Sequence, residues 1–189
     1  MPPWSDIIPR LVVGVVEDNW EDVARHAADA FSAAAPTDDE LPVVDGESVV
    51  EVWNTVARAT QPYSISTQAS GRIPRRASET WELRGGAPLE RTYLLYRLLR
   101  QRGYHVRWAW IRPRTRGGLA EGVPCLGAFD LPALRVDGDA EAPFVLILGD
   151  DKDRAGELEY RYSGAKVLTH GVGMESVPMA PPESLGIDH

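Results

Sequence analysis

Apolar residues recur at helical spacing in three stretches of this chain. Trp20, Val23, Ala24, Ala27 and Phe31 mark the first face. Asp18 or Asn19 stands where an N-cap belongs, and Glu21 and Asp22 follow in the first turn, favourable toward the helix dipole. Val49, Val50, Trp53, Val56 and Ala57 mark a second face between Gly46 and Thr60. The third stretch, Arg84 to Gly103 (RGGAPLERTYLLYRLLRQRG), organises the rest. Leu94, Leu95, Leu98 and Leu99, with Tyr93 and Tyr96, give it a broad apolar surface. Its two glycines and proline fit a tight turn into a helix. Pro88 suits the first helical position, where its missing N–H costs nothing, and Gly103 suits the stop.

The pattern then changes period. HVRWAWIRP alternates, with Val106, Trp108 and Trp110 on one face and Arg107, Ala109 and Ile111 on the other, as in a strand packed on helices. Leu131 to Val136, Phe144 to Leu148 and Ala165 to Thr169 read as further strands, with DGDAEA at 137–142 a hairpin-like connection. Leu11 to Val16 is a short strand or extended lead-in. Gln61 to Arg76 is loop-like, broken by Pro62, Gly71 and Pro74, and its arginines Arg72, Arg75 and Arg76 read as solvated. Ser78 to Leu83 fits a turn or short helix, and residues 114–124 form a Gly- and Arg-rich loop. Helices first and strands later predict an α+β domain with helices packed on an antiparallel sheet. We assign 1–177 to one domain and 178–189 to an extended proline-rich tail.

Composition narrows the class. At 189 residues, 43% hydrophobic and 25% charged, the protein is long enough for one real core. No apolar run approaches a membrane span. The start, MPPWSDIIPR, lacks the basic and apolar regions of a signal peptide. That points to the cytoplasm for a whole protein, and leaves the periplasm or cell envelope for a piece of a longer one. A single cysteine excludes an internal disulfide and a Cys-rich zinc site. The net charge of −8 is uneven: residues 72–116 hold 12 Lys+Arg against 3 Asp+Glu. The basic middle is expected to pair with its acidic flanks, and no nucleic-acid partner is expected for so acidic a protein.

A resemblance enters at the central helix. RGGAPLERTYLLYRLLRQRG is similar to the nucleophile helix of bacterial transglutaminase-like proteins, whose pattern is Gly-Asp-Cys-Lys-Asp-Lys-Ala, two leucines, a spacer, Leu-Leu-Arg and Gly-Ile. PRLVVGVVEDNWEDVARHAADAF, VVEVWNTVARATQPYSIS, RRASETWELRGG, VPCLGAFDLPALRV and GELEYRYSGAKVL resemble further family segments in the same order. The resemblance implies a papain-like fold, in which a thiolate at a helix N-terminus, activated by histidine, attacks an acyl group. Aligned on Leu98-Leu99-Arg100 and Gly103, the family's cysteine falls on Pro88, and Glu90 on the acidic residue two positions later. The histidine falls on Leu131 and the aspartate near Ile147; a small gap would bring Asp150 or Asp151 there instead. None of Pro88, Leu131 and Ile147 supplies the group the family chemistry requires.

Other residues offer the chemistry more weakly. Cys125 is the only thiol and His105 starts a strand; together they, or Cys125 with His170, form the alternative nucleophile pair. His26 sits in the first helix and His189 is terminal, and no two histidines have zinc-ligand spacing. Asp150, Asp151, Asp153, Glu157 and Glu159 form an acidic cluster without the periodicity of a calcium loop. Trp81, Trp108 and Trp110 read as core. We expect no cofactor and no metal. The resemblance with its replaced triad implies a pseudoenzyme that binds a protein or peptide segment, or scaffolds a larger assembly. The alternatives are a cysteine-dependent amidase or acyltransferase with a displaced site, and a structural module of a larger cell-envelope protein.

Overall fold

The structure, a computed structural model, describes residues 17–37, 40–64, 73–113, 116–129, 131–137, 146–148 and 162–177. The expected strand at 11–16, the connection at 138–142, the acidic cluster at 150–159 and the tail from 178 lie outside these residues.

Helix α1 spans Trp20–Ala34. Asn19 is its cap, its side chain accepting from the Asp22 N–H. Helix α2 spans Val49–Ala59 and opens on a reciprocal cap between Ser48 and Glu51. The N–H groups of Ser48 and Glu47 hold the Glu51 carboxyl below the ordinary glutamate range. The cap's contribution is therefore present at neutral pH and is lost on acidification through the lowered folded-state value. After α2 come a two-residue strand β1 (Gln61–Pro62), a short helix α3 (Ala77–Glu82), a strand β2 (Gly85–Gly86) and the central helix α4 (Pro88–Gln101). Pro88 opens α4, and Gly103 lies just beyond its end at φ +84°.

Strands β3 (His105–Arg112), β4 (Leu131–Asp137), β5 (Leu146–Ile147), β6 (Lys166–Thr169) and β7 (Gly173–Ser176) form one antiparallel sheet in the order β5-β4-β3-β6-β7. The described residues thus form an α+β fold, helices on an antiparallel sheet. The helices pack on one face. There Leu94, Leu95, Leu98 and Leu99 of α4 are sealed against Val106, Trp108, Trp110 and Leu134. Each fully buried leucine contributes about 2 kcal/mol by transfer from water. Phe31 lies against both Tyr93 and Trp108, joining α1, α4 and β3 through ring contacts.

Three features depart from expectation. The other face of β3 is buried as well: Ala109 and Ile111 join Ala133, Ile147 and Val167 in a second apolar cluster. Gly85 and Gly86 form a strand paired in parallel with β1, rather than a tight turn. Neither position has room for a side chain. A Cβ on Gly85 would lie 2.7 Å from the Tyr63 ring, and one on Gly86 2.9 Å from Glu90 Oε2. Close approach, not a left-handed backbone, demands these glycines. Several arginines of the basic middle, finally, hold backbone carbonyls. Arg102 donates to Val44 and Gly46, Arg97 to Pro36 and Thr37, and Arg112 to Arg116, Gly117, Gly118 and Ala128. Arg107 does pair with an acidic flank, through Asp137.

Arg112 is buried, and its carbonyl partners cannot all find replacements if it is truncated. Arg112→Ala is expected to free residues 116–128 first. Limited proteolysis should cut there in the variant before the wild type, with the far-ultraviolet helical signal retained. Equal cleavage rates would remove Arg112 as the anchor of this loop.

Candidate functional site

The N-terminus of α4 is where the resemblance places its chemistry. Helix starts carry unpaired N–H groups and favour an anion. Here that anion is internal. Glu90 Oε2 accepts the Ala87 N–H at 2.8 Å, and Glu90 Oε1 lies 2.6 Å from Arg75 Nε. Glu90 is largely shielded and Arg75 partly so; Arg75 is therefore a partner of the helix start rather than a solvated loop residue. Pro88 is half-buried beside this pair. One turn on, Arg91 is fully buried; it donates to Thr60 Oγ1 at 3.1 Å and to the Leu148 carbonyl at 3.4 Å.

The other two aligned positions lie elsewhere. Leu131 pairs with Ile111, and Ile147 with Ala133; all four belong to the second cluster, on the sheet face away from α4. The structure therefore does not bring Leu131 and Ile147 to the start of α4. Pro132 pairs with Trp110 and Leu148 belongs to the first cluster, so these two take the helix-facing side at the same levels. Neither carries a titratable group. Asp150 and Asp151 lie outside the described residues.

Cys125 is half-buried and precedes the short 3₁₀ turn Leu126–Ala128, whose last carbonyl is bound by Arg112. That places it beside the C-terminal end of β3. His105 is exposed at the opposite end of the same strand, about 23 Å from Arg112 at a strand's rise per residue. His170 follows β6, and its N–H donates to the Trp108 carbonyl, about four residues up the strand from the Arg112 level. His26 pairs with Glu17 at 3.1 Å. Cys125 and His105 are thus not brought together. Among the described residues no three His, Cys, Asp or Glu side chains gather as metal ligands, and no helix is long and apolar enough to cross a membrane.

A groove that sequence reasoning missed lies between the end of α2, β1 and the α3–β2 connection. It encloses about 320 Å³ and is lined by Arg58, Ala59, Gln61, Tyr63, Leu83 and Arg84. The β1–β2 pairing builds it: Gln61 N–H donates to the Arg84 carbonyl and Tyr63 N–H to the Gly86 carbonyl. Leu83, 56% exposed, and Tyr63, 36% exposed, give it an apolar rim. Arg84 stands just past the C-cap of α3 with φ +49°, a position that favours glycine. Holding arginine there costs about 1 kcal/mol. The sequence did carry one signal. In TWELRGG the glycines arrive one residue later than the end of α3 requires, because close packing has claimed both.

No family model matches this protein, and no curated protein matches it. A crystal structure from Parabacteroides distasonis ATCC 8503, described as a "putative protease", superposes with a TM-score of 0.53 at 16% identity. The likeness is one of fold. It covers 87% of this chain and 29% of the neighbour, so the chain spans less than a third of that protein's length.

Proposed function

We propose that this chain is a non-catalytic domain of transglutaminase-like, papain-like fold that binds an extended protein or peptide segment. One observation carries the reading. At the start of α4, where a nucleophilic thiolate belongs in such a fold, Pro88 stands beside a carboxylate that already caps the helix and is held by Arg75. A thiolate is activated by helix-terminal N–H groups and a neighbouring imidazole. Here the Ala87 N–H is already taken by Glu90, and Pro88 contributes no N–H at all. The fold likeness to a protein described as a protease supports the scaffold and says nothing of activity.

The test is turnover by the purified protein. Amine incorporation into a glutamine peptide and hydrolysis of peptide amides should both stay at the level of buffer, in the wild type and in Cys125→Ser. Sustained turnover in either protein would overturn the reading. If it vanishes in Cys125→Ser, the active site is a displaced one built on that thiol.

A further inference from the structure

We propose that the groove beside α3 and β1 binds a carboxylate-bearing polypeptide segment, with Arg58 and Arg84 as its anion-recognition pair. This names the ligand chemistry of the peptide-binding reading above and rests on it. Most arginines of the fold are engaged: Arg97, Arg102 and Arg112 hold carbonyls, and Arg75 and Arg107 hold carboxylates. Arg58 and Arg84 are exposed, share one groove, and make no side-chain hydrogen bond or ion pair among the described residues. Arg84 is moreover kept where glycine would be the relaxed choice. Such strain persists where the side chain it positions has a use.

The groove's chemistry selects the occupant. A guanidinium matches a carboxylate through two parallel N–H donors, and two of them give orientation as well as charge. Tyr63 and Leu83 add apolar surface for a neighbouring side chain of the same segment. Pro62, lying between the donating N–H groups of Gln61 and Tyr63, has no N–H to offer an added strand. Recognition therefore runs through side chains. A nucleic acid is disfavoured, since two cations in one groove match a local carboxylate rather than the run of phosphates along a strand. The carboxylate belongs either to an acidic residue or to the C-terminus of the bound polypeptide, and both present the same group.

The experiment is fluorescence anisotropy at low salt with the full-length protein and three labelled peptides. One alternates glutamate and leucine and is amidated; the second is its glutamine–leucine counterpart, also amidated; the third is glutamine–leucine with a free C-terminal carboxylate. Binding of the first assigns an acidic residue, binding of the third a terminal carboxylate, and the second should not bind. Arg84→Gly and Arg58→Ala should each weaken binding about tenfold, the loss of one charge-assisted contact. Arg84→Gly should at the same time hold or raise Tm. Three results would overturn the site: no binding by either anionic peptide, affinities unmoved by both substitutions, or a fall in Tm in Arg84→Gly. The last would make Arg84 a structural residue. Acyl-transfer turnover would remove the non-catalytic reading without moving these titrations. Failed binding would remove this site and leave that reading standing.

Discussion

Trp53→Ala is expected to destabilise the domain by about 4 kcal/mol. Trp53 is 2% exposed, lies in the main cluster, and donates its indole N–H to the Ile147 carbonyl at 2.9 Å. Truncation removes the packing of the largest type of side chain, leaves a cavity, and strands a buried acceptor on β5. A domain of this size has about 5–15 kcal/mol in total, so the variant should be marginally folded. Urea unfolding checks it: the midpoint should fall steeply with the slope unchanged. Trp53→Phe separates the two contributions. It retains most of the volume and loses the hydrogen bond, so its cost should be about 1–2 kcal/mol. Should Trp53→Ala cost under about 1 kcal/mol, α2 is not docked on the sheet edge as described.

The second large effect is at Arg91. Arg91→Ala is expected to cost about 3 kcal/mol, because a buried guanidinium is removed from acceptors that water cannot reach. Arg91 ties three parts together: the second turn of α4, Thr60 just before β1, and Leu148 just after β5. Arg91→Met fills most of the space and should recover part of the loss. Thermal unfolding of both variants tests this. If Met proves as damaging as Ala, polar contacts dominate; if Ala is harmless, Arg91 is not a structural tie.

What the sequence made legible was periodic. α1, α2, α4, β3 and β4 follow from spacing alone, and Asn19, Pro88 and Gly103 bound them as their side chains and backbones dictate. What it hid depends on partners distant in sequence. Ala109 and Ile111 show that β3 is buried on two faces only once Ala133 and Val167 are beside them. Gly85 and Gly86 carry the composition of a turn, and the Tyr63 ring and Glu90 decide otherwise. β7, GMES, has too little apolar character to announce a strand and is set by its register on β6. The aligned site positions were legible as residues but not as geometry. A strand's alternation puts Leu131 and Ile147 on the far face, and a linear alignment does not report faces. Arg58 and Arg84, 26 positions apart, line one groove only because β1 and β2 pair.

The carbonyl-bound arginines have a consequence for how such a fold tolerates change. Arg97, Arg102 and Arg112 grip main-chain oxygens, which every amino acid supplies alike. The segments they hold, around 36–37, 44–46 and 116–118, are anchored without regard to which side chains they bear. Their exposed positions, Thr37 and Asp45 among them, are free to drift in composition, while Val44 in the core and Gly46, at φ +117° with the place of a Cβ already filled, are not. At those exposed positions the constraint is gathered instead in the three arginines, which no variation in the loops can replace.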